Sequence, residues 1–358
     1  MNEALVRPAI KMLKDYVPGR NPHKPGMIKL ASNENPFGPS PKALRAIIKE
    51  GKTLHLYPDQ KSLLLREALA KLLNVEEENL IVGNGSDEIM QLAAVTFLRP
   101  GEEVLVSENT FSVYEFATRL LDGIPVFIEL KELGQDLEGF ANSISPKTKM
   151  IFLCNPHNPT GTYLSENSLD TFFKKVPENV LVVLDEAYAE FAEAKDFPDS
   201  LKYVRAGKSV LVLRTFSKYY GLAGLRVGYG IASKELLRYM FRAKLPFNVN
   251  RLAQAGALAA LGDKAFLLKT YKNNCLGKKQ LYRALDKLGL EYKKTESNFI
   301  FINIKRSADE FFVEMIRAGI IIRPLTSFGL PEAIRVSIGT KEQNQKFIDL
   351  LAKGPPPA

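Results

Sequence analysis

The sequence predicts an α/β fold, with a large domain built on a mostly parallel mixed sheet flanked by helices and a smaller α+β domain beside it. Three observations carry that expectation. The chain has 358 residues, too many for a single core at roughly 100–200 residues per domain. From about residue 63, helical and strand patterns alternate: "SLLLREALAKLLN" has helical spacing, "NLIVGNG" is a short apolar strand, and "SDEIMQLAAVTFL" is helical again. Several later strands, among them "KMIFLCNP", "VLVVLDEAY" and "SVLVLRTFS", lack polar alternation, as expected of strands covered by helices on both faces.

Taken in order, the N-terminal "MNEALVRPAIKMLKDY" reads as an amphipathic helix. It lacks the continuous apolar core and small-residue cleavage site of a secretory signal. "ASNENPFGPSPKALRAIIKE" opens as a loop, with Ser40 and Pro41 as cap and first turn of the next helix. "EEVLVSE", "PVFIEL" and "VGYGIAS" complete the strands of the larger domain, expected over residues 46–250. Beyond residue 251 long helical stretches precede "SNFIFINI", "IIIRPL" and "AIRVSIG", which read as half-exposed strands of an α+β layer. Residues 251–358, with residues 1–45 packed against them, form the expected smaller domain.

Composition narrows the function. With 46% hydrophobic and 25% charged residues the chain matches an ordinary globular protein, and no apolar run approaches the ~20 residues that span a bilayer. A cytoplasmic protein without membrane contact is expected. The net charge is +9, but the 49 lysines and arginines are scattered and form no arm or stripe. That pattern argues against nucleic acid and favours small anionic substrates. Cys154 and Cys275 lie far apart, and His23, His55 and His157 have no partners at ligand spacing, so neither a disulfide nor a metal site is expected.

In an open parallel sheet, ligands bind beyond the carboxyl ends of the strands. After "LIV" comes Gly83-Asn84-Gly85-Ser86-Asp87 at the start of a helix, where backbone amides and the helix dipole suit a phosphate. Ser86 or Asp87 as a simple helix cap is the structural alternative. After "MIFL" comes a rigid turn carrying Asn158. Asp185 follows five apolar residues and needs a cationic partner, since a lone buried charge is costly. Lys218 follows another strand, with Ser217 before it, Arg226 after it, and Gly221 and Gly224 turning the chain between. Alone, Lys218 reads as one more solvated cation. Together these loops offer an amine nucleophile, an anion nest, a buried carboxylate and a phenol, the set required by a phosphorylated cofactor that bonds to lysine and carries a protonated ring nitrogen.

"SNENPFGPSP", "NGSDE", "CNPHNPTG", "DEAYAEF", "TFSKYYGLAGLRVGY" and "RVSIGT", in this order along essentially the whole chain, resemble the fold type I pyridoxal-phosphate aminotransferases. The resemblance implies pyridoxal 5'-phosphate as cofactor, bonded to Lys218, which then moves a proton at the substrate α-carbon. Asp185 would pair with the ring nitrogen, and Tyr188 and Asn158 with the phenolic oxygen. The turn of Gly85, Ser86 and Asp87, with Ser217 and Arg226, would hold the phosphate. Phe111 stands where relatives stack Tyr or Trp on the ring. Tyr57 resembles a tyrosine that reaches a neighbouring subunit's cofactor, implying a homodimer with shared sites. Arg335 and Arg323 would hold the substrate's anionic groups, with Tyr16 and Asn33 closing over it. An amino phosphate ester as donor and 2-oxoglutarate as acceptor are the implied substrates. Aromatic and aspartate aminotransferases and threonine-phosphate decarboxylase share enough of the pattern to remain open.

Overall fold

The structure, a computed structural model, describes residues 3–13, 19–22 and 24–353. Its larger sheet has seven strands: β1 (Leu80–Gly83), β2 (Glu103–Ser107), β3 (Ile124–Ile128), β4 (Thr148–Cys154), β5 (Leu181–Asp185), β6 (Val210–Thr215) and β7 (Gly228–Ala232). They lie in the order β1-β7-β6-β5-β4-β2-β3. Strand β7 runs antiparallel to both its neighbours, and the other pairs are parallel.

The missing polar alternation has a direct cause. Successive side chains point to opposite faces; Ile151, Leu153, Val182, Leu184, Val210 and Val212 enter one core, while Met150, Phe152, Leu181, Val183, Leu211 and Leu213 enter a second core across the sheet. Helices α1 (Pro41–Glu50), α2 (Ser86–Phe97) and α3 (Val113–Leu120) contribute to these cores. Ser40 caps α1 through its hydroxyl, which accepts from the Ala43 amide at 3.1 Å.

Helix α4 (Arg251–Leu261) buries Ala253, Ala257 and Ala260 in the first core beside Ala43 of α1. The shift in sequence pattern at residue 251 therefore precedes the change of core. The second sheet has strands β8 (Glu291–Tyr292), β9 (Phe299–Asn303), β10 (Arg323–Pro324) and β11 (Ala333–Ser337), antiparallel in the order β8-β9-β11-β10. Ile300, Ile302, Ile334 and Val336 pack on α5 (Lys264–Lys287), α6 (Ala308–Arg317) and α7 (Lys341–Lys353) through Leu281, Leu285, Phe311, Met315 and Phe347.

Two expectations are corrected here. Strands β9 and β11 are almost wholly buried instead of half-exposed, because their second face meets the larger unit: Phe299 lies edge-on to Tyr188 at 5.1 Å. The N-terminal helix is also shorter than expected. A 3-10 turn at Glu3–Leu5 precedes Pro8–Met12, a helix with no buried residue. Pro8 lacks the N–H that would continue a helix through it, and Leu13 is already extended.

After that helix, Ile28–Lys29 pairs in parallel with Ile320–Ile321, and Leu30 enters the core of the smaller sheet. The following residues stay fastened there: the Asn33 amide donates to Ser337 Oγ at 2.8 Å, and Asn298 Nδ2 donates to the Asn33 carbonyl at 3.0 Å.

Of the two glycines expected to turn the chain between Lys218 and Arg226, only Gly221 is required for it. Its φ is +70°, and a Cβ there would sit 2.2 Å from the Gly38 carbonyl oxygen, whereas Gly224 has open space around it. Gly221→Ala is expected to destabilise the protein by about 1–3 kcal/mol through strain and overpacking, while Gly224→Ala leaves its stability nearly unchanged. Thermal melts of the two variants check this; equal melts would remove the conformational argument for Gly221.

Candidate active site

The carboxyl ends of β1, β4, β5 and β6 open into one cavity of about 250 Å³, whose other wall comes from residues 31–34, Arg323, Phe328 and Arg335. At its anion end Gly85, with φ +83°, is the N-cap of α2, so neither Ser86 nor Asp87 serves as cap. The first-turn amides of α2 have no intrahelical acceptor and carry the positive end of its dipole. Arg226 adopts φ +53°, which turns its side chain back over this turn. It donates to Ser217 Oγ at 3.4 Å and pairs with Asp87 at 3.1 Å.

Two glycines make that approach possible. A Cβ on Gly85 would lie 2.6 Å from Arg226 Nη2, and one on Gly228 would lie 2.5 Å from the Ser86 amide nitrogen. Glycine here therefore preserves a cradle of amides and guanidinium that any larger residue would fill.

Lys218 Nζ donates to the Ser32 carbonyl at 2.8 Å. Burial, and then the charge of Arg335, push its pKa down to about 8. Across the cavity Asp185 is 4% exposed. Its Oδ2 accepts from the Tyr114 hydroxyl at 2.6 Å and its Oδ1 from the Ala187 amide at 3.2 Å. Among the described residues no salt bridge reaches it, so none of their side chains is the cationic partner expected from sequence. Burial, reinforced by Asp87 and Glu186, lifts its pKa to about 6 despite the Tyr114 hydrogen bond.

Tyr188 is buried, which drives its phenol pKa upward, and its oxygen accepts from Asn33 Nδ2 at 3.0 Å. Asn158 Oδ1 accepts from Arg335, whose other contacts include the Ala31 carbonyl at 2.9 Å and the face of Phe299 at 5.2 Å. Arg323 donates to Ser327 Oγ at 3.1 Å and lies over Phe328 at 5.6 Å. Phe111 lines the same cavity.

Cofactor-type and substrate-type residues expected from widely separated motifs thus converge on one cavity. Tyr57 does not line it: this side chain is 78% exposed and stacks on Phe247 at 4.7 Å. Tyr16 lies outside the described residues. Sequence reasoning missed Tyr114, Ser32 and Glu34. The hint for Tyr114 was its position three residues beyond Phe111, a spacing that brings two aromatics to one side of the chain; they meet edge-on at 5.8 Å.

A mixed sheet with an amine, a sequestered carboxylate and an anion cradle at neighbouring strand ends defines a fold type I transferase. The sequence model of the aminotransferase class I and II family matches residues 25–351, and the chain belongs to that family: it is an aminotransferase. It is 48% identical over 353 residues to a histidinol-phosphate aminotransferase of Moorella thermoacetica, with 96% of this chain and 92% of the relative covered. It is 42% identical to the enzyme of that name from Bacillus licheniformis, covering 97% and 98%. The crystal structure of histidinol-phosphate aminotransferase from Sinorhizobium meliloti in complex with pyridoxal-5'-phosphate superposes with a TM-score of 0.89 at 25% identity, covering 98% of this chain and 97% of that one.

Among the described residues no helix is long and apolar enough to cross a membrane.

Proposed function

We propose that the chain uses pyridoxal 5'-phosphate to move the amino group of L-histidinol phosphate to 2-oxoglutarate, giving imidazole acetol phosphate and glutamate in histidine biosynthesis. The observation that carries the chemistry is the convergence of Lys218, Asp185 and the Ser86, Ser217 and Arg226 cradle on one cavity. Likeness at 41–48% identity to relatives named histidinol-phosphate aminotransferase supports the substrate.

The residues fit the cofactor. The cradle that a Cβ on Gly85 would fill suits its phosphate, and the buried Asp185 carboxylate, which no side-chain cation among the described residues pairs, suits its protonated ring nitrogen. When bound, the cofactor supplies an electrophilic carbon for amines and a ring able to store the electron pair released at the substrate α-carbon. Lys218 Nζ would be the amine that holds the cofactor and, when free, the base that carries a proton between the substrate α-carbon and the cofactor. Asp185 holds the ring's positive charge, and Tyr188 and Asn158 hold its phenolic oxygen. Gly85, Ser86, Asp87, Ser217 and Arg226 would anchor its phosphate, and Phe111 would offer an aromatic face to its ring. Arg335 and Arg323 receive the substrate's phosphate or carboxylate, with Asn33 on the same cavity wall; Tyr16, outside the described residues, is proposed as a further substrate contact.

Tyr57, exposed on its own protomer, would complete the site of a second copy in a homodimer. Exposed Leu54, Leu56, Leu245 and Phe247 support that interface. A larger domain of residues 46–250 and a smaller one of residues 1–45 and 251–358 are the proposed division, and Ala43 of α1 with Ala253, Ala257 and Ala260 of α4 reach across it into the first core. The cytoplasm is the proposed location.

A single half-reaction followed by absorption tests the substrate. L-Histidinol phosphate is expected to convert the bound cofactor to its amine form at lower concentration than phenylalanine or aspartate. Conversion by phenylalanine or aspartate, with none by L-histidinol phosphate, would overturn the assignment.

A further inference from the structure

We infer that Tyr114 is a positioning residue for transamination, orienting the Asp185 carboxylate toward the cavity and stabilising its charge. The inference rests on the reading of Asp185 as partner of the cofactor's ring nitrogen.

Tyr114 sits in the first turn of α3 and is 1% exposed. It is absent from the cavity wall, so it acts on the site only through what it touches. Its ring stacks on Phe152 of β4, with centroids 4.8 Å apart and planes 11° from parallel, and it meets Phe111 edge-on. Gripped by both rings, the phenol has little torsional freedom, and its hydroxyl is aimed at Asp185 Oδ2 at 2.6 Å.

A carboxylate has roughly four lone-pair directions. Tyr114 occupies one at Oδ2 and the Ala187 amide one at Oδ1. The remaining directions are left for the cavity that Asp185 lines. The helix supplying Tyr114 thereby fixes the rotation of a side chain on a neighbouring strand.

Charge points the same way. The groups that bear on Asp185 are Asp87 from α2, Glu186 and Tyr188 from beyond its own strand end, Cys154 from β4 and Tyr114 from α3. Asp87 and Glu186 oppose its ionisation, as does burial. The Cys154 thiol is itself pushed upward by burial and by Asp185, so it stays neutral. Tyr114, whose own pKa is driven well above the ordinary phenol value, remains a donor at every working pH. With the Ala187 amide it favours the charged form. A neutral acid at position 185 would offer a hydrogen bond but no charge, and the electron-storing ring needs the charge.

Tyr114→Phe removes the hydroxyl and keeps both ring contacts. The probe is pyridoxamine 5'-phosphate, which binds without a covalent bond, titrated calorimetrically into cofactor-stripped full-length protein from acid to alkaline pH. The ligand's own groups titrate alike in every variant, and Asp185→Asn supplies the profile without the carboxylate. Relative to that baseline, the native protein should lose affinity as pH falls through about 6. In Tyr114→Phe the midpoint should move upward by about one unit. In the holoenzyme kcat should fall about ten- to a hundredfold with the KM of the amino donor nearly constant.

Two failures are distinguishable. If Asp185→Asn binds the probe as tightly as the native protein at every pH, the role of Asp185 is wrong and the inference goes with it. If Asp185→Asn weakens binding while Tyr114→Phe keeps the native midpoint and kcat, only the inference about Tyr114 is overturned. Should Tyr114→Phe not fold, Phe152→Leu, which loosens the ring without removing the hydroxyl, should move the midpoint the same way by a smaller amount. An unmoved midpoint there counts against the inference.

Discussion

Alanine in place of Lys218 is expected to lower kcat by at least about 10⁴-fold, since both the covalent link and the proton carrier disappear together. The variant should also retain no cofactor mass after borohydride treatment. The reason lies in the setting of the amine. Nζ is held against the Ser32 carbonyl, and burial with the Arg335 charge lowers its pKa to about 8. A free amine is thus available at a pH where a solvated lysine, near 10.4, is almost entirely protonated.

The rate at which stripped protein recombines with pyridoxal 5'-phosphate should accordingly rise with pH and level off above about 8. Arg335→Gln should move that midpoint upward, because one positive neighbour is gone. Retention of more than about 1% of native turnover by Lys218→Ala would exceed what loss of a proton carrier permits, and the assignment of the lysine would fail.

The second large effect belongs to Asp185→Asn, and it has opposite signs for activity and stability. Activity should fall by at least about a thousandfold, a loss at the upper end for a single fixed electrostatic contact. Stability of the cofactor-free protein should rise. The folded carboxyl has its pKa at about 6, against an unperturbed 3.8. Between those values the unfolded chain gives up its proton first and binds fewer protons than the native state, so stability falls as pH rises through the window. Below it both states are protonated and there is no penalty; above it the penalty is complete, about 3 kcal/mol for a shift of this size.

Asparagine carries no charge to desolvate and keeps its one side-chain oxygen as acceptor for the Tyr114 hydroxyl, giving up only the longer Ala187 amide contact. Asp185→Asn should therefore melt higher than the native apoprotein at pH 7.5, with the difference closing toward pH 4. An Asp185→Asn protein that melts lower at pH 7.5 would show that the carboxylate is stabilised by something other than these contacts.

The larger sheet was legible because its cause is local. A strand such as Thr148–Cys154, with Met150 and Phe152 on one face and Ile151 and Leu153 on the other, declares two covered faces by itself. The cavity was legible for a related reason: each contributing loop follows an apolar run, and strand ends in a parallel sheet converge. Strands β9 and β11 were misread because their second face is covered by Tyr188 and its neighbours, more than 100 positions away, and no local pattern carries that contact. Tyr114 was missed because a phenol on an amphipathic helix looks like core until the carboxylate above it is seen. The brevity of the first helix was within reach, since Pro8 stands inside the apolar pattern and interrupts it whatever the periodicity around it.

The segment after Ile28–Lys29 is fastened to the smaller sheet at Asn33, yet it reaches across to the larger one through the Ser32 carbonyl to Lys218 and through Asn33 to Tyr188. It behaves as a latch whose catch is the Lys218 amine. Should Lys218 Nζ bond the cofactor as proposed, the Ser32 contact would be given up, a loss of about 0.5–1.5 kcal/mol for a bond from a neutral amine. The segment would then be tied to the larger sheet through Asn33 and Tyr188, with Arg335 and Asn158 joining the two sheets beside it.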